Sequence, residues 1–315
     1  MSCCCPPAIS ALFCLWVQSG CSKGTVAGAL TFFPPDPSLY KFERHYKGRV
    51  LGDDEEAPES AKDDDIKKTD THEKCSDDGD DTLGVLQGPN RTGPIEETAN
   101  NRTGQTKKKI KSPIQQLTDQ AMERKNTAKV RNARNMRDIA AGVTFKLLLD
   151  PRLQVPPHDD HAIQCVQIPT KSNSSRLVSS VAAIIYRVPP ERQHVDTKTI
   201  IMSHGNATDI GAMFPIQVVL AHSLDCNVVS YDYSGYGESG GIPDEHATYR
   251  DLDSVYDYVV ECVANNIESN IVLYGQSVGS GPCCHLASNT KENNPGGMIL
   301  HSPFTSGMRV LTPSR

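Results

Sequence analysis

The chain has 315 residues, of which 37% are hydrophobic, and a formal net charge of −6 at pH 7. This length allows one large domain or two small ones, and the low hydrophobic fraction excludes a packed core that spans the whole chain. No apolar run approaches the length of about 20 residues that a membrane-spanning helix needs. The eleven cysteines form no Cys-x-x-Cys pairs and have no histidines at zinc spacing, so the sequence indicates no metal site.

Residues 1–42 are predicted to form a Cys-rich membrane-anchoring segment followed by a proline-containing arm. Cysteines beside an apolar stretch such as Ala8–Val17 are the usual acceptors of S-palmitoylation, and several acyl chains together make a stable anchor. The predicted acceptors are Cys3, Cys4, Cys5 and Cys14. A signal peptide is the alternative, although no positive charge precedes the stretch, and chance composition is the third interpretation. The later cysteines are interpreted as free thiols in a reducing compartment.

Residues 43–140 are predicted to be a disordered insertion, first acidic and then basic. Asp53–Asp81 is dominated by Asp and Glu and cannot bury enough apolar surface to offset chain entropy. A basic stretch begins at Lys107, and residues 115–140 have a helix-forming composition with only a weak apolar stripe. This stretch is interpreted as a solvated, partly helical linker. A patch that attracts anionic lipid is the second interpretation. The third is a role in nucleic-acid binding or nuclear import, which is disfavoured because no aromatic residues interleave with the basic charges.

Strands and helices alternate from residue 143 to residue 315, which predicts a parallel sheet covered on both faces. The predicted strands are Val143–Leu149, Ile163–Ile168, Val181–Val188, Thr199–Ser203, Cys226–Tyr231, Asn270–Tyr274 and Met298–His301. The predicted helices are Ile210–Ser223, Glu245–Val263 and one that follows Gly279 and ends near Ser288.

Gly275-Gln276-Ser277-Val278-Gly279 follows a buried strand and fits the Gly-x-Ser-x-Gly pattern of a nucleophile elbow. Ser277 is the predicted nucleophile, since such a turn presents a strained serine at the start of a helix. An acyl-transfer site also needs donors for the oxyanion. One predicted donor is the backbone amide of Val278, and the second is that of Asn206, with Ala207 as the alternative. The pattern predicts an α/β-hydrolase fold.

Three other features carry competing interpretations. Gly235–Gly240 matches the Gly-x-Gly-x-x-Gly turn of dinucleotide-binding folds, but Pro243 delays the helix that such a turn opens. Asp232 is interpreted as a carboxylate that organises this loop. Glu292 is the only acidic residue after Ser277, and His285 and His301 follow too closely for the usual order of the triad. The sequence therefore indicates neither the acid nor the base, and His301 as the base is the minor alternative.

Four segments of this half, in order, closely resemble the alpha/beta-hydrolase domain-containing 17 family. They are Ser203–Gly211, Asn227–Gly237, Leu273–Gly279 and Leu300–Val310. The Cys-rich start and Phe32-Phe33-Pro34-Pro35 also resemble the palmitoylated anchor and arm of this family, so that the resemblance covers about residues 1–40 and 160–315.

The resemblance implies a palmitoyl-protein thioesterase, with Ser277 as the acyl acceptor and lipid on the N-terminal cysteines. The catalytic Asp and His of the family have no counterpart here, so the hydrolase domain is expected to be truncated and to lack its C-terminal strands. The resulting hypothesis is a serine hydrolase without a cofactor that removes palmitate from S-acylated membrane proteins. It would be tethered to the cytoplasmic face of the plasma or endosomal membranes and would bind no nucleic acid. The alternatives are an inactive tethered fragment that binds partners, and an esterase or peptidase of the same fold.

Overall fold

The computed structural model describes residues 32, 34–57, 113–171, 177–265, 267–289 and 294–304, with backbone alone at 113–122, 124–125 and 177–178. The strands are β1 Tyr40–Tyr46, β2 Arg49–Leu51, β3 Thr144–Leu149, β4 Ile163–Lys171, β5 Leu177–Tyr186, β6 Thr199–Ser203, β7 Asn227–Tyr231, β8 Ile271–Gln276 and β9 Gly297–His301. The helices are α1 Pro113–Ala141, α2 Ile210–Leu224, α3 Glu245–Cys262 and α4 Ser280–Asn289. Among the described residues, no helix combines the length and the apolar character needed to cross a membrane.

All of these strands lie in one sheet, in the order β2-β1-β3-β4-β5-β7-β6-β8-β9. The pairs among β6, β7, β8 and β9 are parallel, as predicted. The pairs that involve β1 to β5 are antiparallel, which the expectation of a mostly parallel sheet did not anticipate. For β4 and β5 the reason is the short connection, because residues 172–176 are too few for the crossover of a dozen or more residues that a parallel pair needs.

The parallel half of the sheet brings three strand ends to one edge. Ser203, the last residue of β6, is in register with Tyr231 of β7 and with Gly275 of β8. The loops that follow these strands carry the predicted oxyanion donor, the glycine-rich segment and Ser277. In open α/β sheets, ligands bind outside the carboxyl ends of the strands, so this edge is where a site is expected.

Helices cover both faces of the sheet, and each face has its own apolar core. The first core contains Ile201, Val229, Leu252, Val259 and Leu286, from the sheet, α3 and α4. The second contains Ile200, Met202, Val228, Met213 and Phe214, from the sheet and α2. Each fully buried side chain of this size stabilises the fold by about 1.5–3 kcal/mol. Successive residues of β6 point to opposite cores, and this is why its sequence is an unbroken apolar run.

The structure differs from the predicted disordered insertion at both ends of residues 43–140. Residue 42 is not a boundary, because it lies within β1, which pairs with both β2 and β3. At the other end, the helix expected near 115–140 is α1. One face of its last turns is buried, since Asn135 is 1% exposed and Asp138 is 1% exposed. Both buried residues are polar, and a search for an apolar stripe therefore misses them. Residues 58–112 lie outside the described part of the chain.

The described cysteines, which were predicted to be thiols, are free. They are Cys165, Cys226, Cys262, Cys283 and Cys284. The predicted palmitoylation sites Cys3, Cys4, Cys5 and Cys14 lie outside the described residues.

Candidate active site

Ser277 occupies a tight turn between β8 and α4. Its φ angle is +51°, a left-handed conformation that is uncommon for a residue with a side chain. Residues Ser277–Gly279 form one short 3-10 turn that leads into α4. A conformation of this kind costs roughly 1–3 kcal/mol and persists only where the surroundings enforce it. The strained strand-to-helix turn predicted from the sequence is therefore present at the predicted residue.

The glycines on either side of Ser277 are required by close packing. A methyl group at Gly275 would lie 2.7 Å from the carbonyl oxygen of Gly279 and 3.0 Å from the Cys283 sulfur. A methyl group at Gly279 would collide with the carbonyl oxygen of Ser203, at the end of β6. Only hydrogen fits at both positions, so the turn, α4 and the neighbouring strand fix one another.

The loop after β6 lies beside Ser277. A methyl group built on Gly205 would be 3.8 Å from the Ser277 Cβ and 3.6 Å from the Gln276 side-chain oxygen. Asn206, the predicted second oxyanion donor, follows Gly205 directly, and Val278, the first, follows Ser277. The structure thus brings the segments of all three predicted site residues together. The alternative donor Ala207 is engaged within the loop, since its N–H donates to the Asn206 Oδ1 at 3.0 Å.

Asp232 organises this edge of the sheet, as the sequence interpretation holds. Its carboxylate is fully buried and accepts hydrogen bonds from the Tyr40 hydroxyl at 2.6 Å and from the Ile210 N–H at 3.0 Å. Its Oδ1 also lies 3.2 Å from the His204 Nε2, without the alignment of a hydrogen bond. Burial raises the pKa of the Asp232 carboxyl. This one side chain joins β1, the start of α2 and the loop after β7.

The glycine-rich segment Gly235–Gly240 is closed on itself and does not have the open shape of a dinucleotide site. The Gly235 N–H donates to the Gly240 carbonyl at 2.7 Å, and the Gly240 N–H donates to the Ser180 carbonyl at 2.9 Å. The N–H of Glu238 donates to the Tyr40 hydroxyl at 3.0 Å. A pyrophosphate needs these amides, and since the protein itself uses them, the dinucleotide interpretation is wrong.

Asp251 and Tyr236 are residues of this edge that sequence reasoning missed. Asp251 is 1% exposed and accepts hydrogen bonds from the Ser234 N–H at 2.6 Å and the Ser234 hydroxyl at 2.8 Å. Burial raises the pKa of Asp251 to about 7. The Tyr236 hydroxyl donates to the Asn206 Oδ1 at 2.9 Å. The pattern Gly-Tyr-Gly marks only the glycines, and no local signal marks the tyrosine between them.

The histidines that follow Ser277 have other partners. The His301 Nδ1 lies 2.7 Å from the Tyr274 hydroxyl, and His285 stacks on Tyr249 with ring centroids 4.2 Å apart. Among the described residues, no hydrogen bond joins the Ser277 hydroxyl to a histidine or a carboxylate. Glu292 lies outside them. Within the same part of the chain, no group of three or more His, Cys, Asp or Glu residues is arranged to hold a metal ion.

Comparison with known proteins finds similarity to hydrolases. A protein-family model described as serine aminopeptidase, S33, matches residues 195–313. Human alpha/beta hydrolase domain-containing protein 17B is 34% identical over 160 residues, which are 51% of this chain and 51% of the relative. Mouse alpha/beta hydrolase domain-containing protein 17C is 44% identical over 115 residues, 36% of this chain and 35% of the relative.

Among solved structures, an alpha-beta hydrolase from Vibrio vulnificus is similar, with a TM-score of 0.42 and 17% identity, over 69% of this chain and 67% of that one. The match to human protein 17B spans about half the length of that relative. The chain has the α/β-hydrolase fold, and over the matched residues it is similar to alpha/beta hydrolase domain-containing proteins 17B and 17C.

Proposed function

We propose that the protein is a serine hydrolase in which Ser277 is the nucleophile. The observation that carries this proposal is the strained turn at Ser277, with a φ angle of +51°, beside the loop that contains Gly205 and Asn206. A strained serine next to backbone donors is the arrangement that acyl transfer requires. The similarity to alpha/beta hydrolase domain-containing proteins 17B and 17C supports the same chemistry.

In this proposal, the Ser277 hydroxyl attacks an acyl carbonyl carbon and the carbonyl oxygen becomes an oxyanion. The backbone amides of Asn206 and Val278 hold that oxyanion, and the start of α4 adds its positive end. Collapse of the tetrahedral intermediate expels the leaving group, which takes up a proton, and leaves an acyl-serine that water hydrolyses. Among the described residues, no histidine or carboxylate is hydrogen-bonded to the Ser277 hydroxyl, so the proposal assigns no base.

The substrate class we propose is a palmitoyl thioester on a membrane protein. The resemblance of the N-terminus to a palmitoylated anchor supports it, because an anchored enzyme meets acylated proteins at the membrane surface. With Cys3, Cys4, Cys5 and Cys14 acylated, the enzyme would reside on the cytoplasmic face of the plasma or endosomal membranes. Its partners would be S-palmitoylated proteins.

A fluorophosphonate probe tests the nucleophile directly, since it labels activated serines covalently. We expect labelling of the wild-type protein and none of Ser277→Ala. Ser223→Ala is the matched control, because Ser223 is exposed near the far end of α2, and it should label like the wild type. An unlabelled wild type, or undiminished labelling of Ser277→Ala, would refute the proposal.

A peptidase is the second candidate, and the description of the matching family model as a serine aminopeptidase favours it. Matched palmitoyl thioester, ester and aminoacyl peptide substrates separate the two candidates. We expect thioester turnover that Ser277→Ala abolishes. Peptide turnover without thioester turnover would replace the proposed substrate class and keep the proposed nucleophile.

A further inference from the structure

The side chain of Asn206 joins the proposed oxyanion loop to the glycine-rich segment. Its Oδ1 accepts one hydrogen bond from the Ala207 N–H at 3.0 Å and a second from the Tyr236 hydroxyl at 2.9 Å. Ala207 has a φ angle of +54°, so the chain turns sharply immediately after Asn206. Because Oδ1 accepts both bonds, the Tyr236 hydroxyl and this turn together hold the Asn206 side chain, and with it the backbone of the same residue, in one place.

Tyr236 is held rigidly from several sides. The residue is fully buried, and its backbone N–H donates to the Tyr233 carbonyl at 2.9 Å. Its ring packs edge-on against Tyr233, with centroids 5.6 Å apart, and lies 5.4 Å from the His204 ring. A side chain with so little freedom delivers its hydroxyl to one place, which is what a positioning group needs.

The arm that precedes β1 supports both ends of the loop. Phe32 is 7% exposed and packs edge-on against the Tyr236 ring, with centroids 6.5 Å apart. At the other end of the loop, the Ser38 hydroxyl and the Leu39 N–H donate to Asp209 at 2.8 and 2.7 Å. Asp209 also caps α2 by accepting from the Ala212 N–H at 2.9 Å. Loop residues 204–209 are therefore clamped between Tyr236 and the arm.

We infer that Tyr236 is a positioning residue for the oxyanion hole, and that the N-terminal arm supports it through Phe32. This rests on the proposed function, because it assigns a role within that site. The hydroxyl of Tyr236 touches neither the substrate nor Ser277 in this scheme. It fixes Asn206, whose backbone amide stabilises the transition state and contributes little to substrate binding, so that its loss lowers kcat more than it raises KM.

Tyr236→Phe is the decisive variant, because it removes one hydroxyl and keeps the packed ring. We expect kcat for a soluble acyl thioester to fall about tenfold and KM to change less than twofold. This loss in kcat is smaller than the roughly 10²–10³-fold loss seen on deleting an oxyanion donor. Tyr186→Phe is the matched control. Tyr186 is 2% exposed, its hydroxyl bonds to the His222 ring at 2.9 Å, and it lies at the opposite end of the strands.

Hydrogen exchange at the Ala207 amide gives a readout that needs no turnover. In Tyr236→Phe we expect this amide to exchange about tenfold faster, whereas Tyr186→Phe should leave it unchanged. Phe32→Ala should accelerate the same amide and serves as the second variant if Tyr236→Phe does not fold. Unchanged exchange at Ala207 in the folded variants would overturn the inference even if the wild type is active. A wild type without turnover or probe labelling would refute the proposed function, and the exchange result would still decide the role of Tyr236.

Discussion

The buried ion pair between Arg44 and Asp138 tests whether α1 is part of the folded domain. Arg44 donates from Nε and Nη2 to the two carboxylate oxygens of Asp138 at 2.7 and 2.6 Å, and the two residues are 3% and 1% exposed. A third guanidinium nitrogen, Nη1, donates to the carbonyls of Gly52 and Glu55. Asp138→Ala therefore leaves a buried positive charge with carbonyl partners alone and no anion.

Removal of one partner from a buried pair costs about 3–5 kcal/mol, because the remaining charge stays desolvated. A typical domain unfolds with a free energy of about 5–15 kcal/mol, so the loss is a large share of the total. The same helix supplies a matched control. Arg137 and Glu56 form a pair at 2.9 Å whose side chains are 50% and 70% exposed, and Glu56→Ala should cost less than about 1 kcal/mol.

Urea unfolding followed by circular dichroism measures both variants, and limited proteolysis reports whether α1 detaches before the rest of the domain unfolds. Replacement of both partners, Arg44→Met with Asp138→Leu, should recover most of the stability, since no unpaired charge remains. If Asp138→Ala costs no more than Glu56→Ala, then α1 does not pack on β1 in solution, and the reasoning from this ion pair is wrong.

Two further predictions concern the strand-end edge. Gly279→Ala should destabilise the fold by about 1–3 kcal/mol in urea unfolding, through overpacking against β6. Gly281→Ala is its control, because a methyl group there meets nothing within 4 Å, and it should stabilise α4 by about 0.5–1 kcal/mol. Equal effects of the two substitutions would contradict the close packing. Burial raises the pKa of Asp251 to about 7, so the folded state binds this proton more tightly than the unfolded state. The stabilisation is complete at low pH and is lost as pH rises toward 7, by up to about 1.4 kcal/mol per pH unit. Asp251→Asn should flatten that slope, and an unchanged slope would exclude Asp251 as its source.

The strained turn at Ser277 was predictable because its signal is short and local. Five consecutive residues, Gly275–Gly279, carry the whole pattern, and the apolar run before them marks the strand. The same holds for β6 and β7, whose buried runs are bounded by His204-Gly205 and by Asp232. Wherever a physical requirement involves neighbours along the chain, such as a glycine beside a strained serine, the pattern alone predicts the structure.

The long-range polar contacts could not be predicted in this way, because the two partners of each contact are distant in sequence. Tyr236 and Asn206 are 30 residues apart, and Arg44 and Asp138 are 94 apart. Their contacts are polar bonds between individual side chains, which leave no periodic trace. The docking of α1 depends on polar side chains that also suit a solvated helix, so composition alone favours the wrong environment.

The glycine-rich segment shows how much of the chain supports this edge. Arg131 of α1 donates to the carbonyls of Gly237 and Ser239, while Tyr40 of β1 bonds to both Glu238 and Asp232. The antiparallel half of the sheet and α1 therefore meet on the same loop that positions Asn206. A segment with this many internal partners gives the neighbouring loop, which carries the proposed oxyanion donor, a rigid support. Since a site displaced by about 1 Å loses much of its catalytic power, the contacts from β1 and α1 to this segment bear on the proposed chemistry.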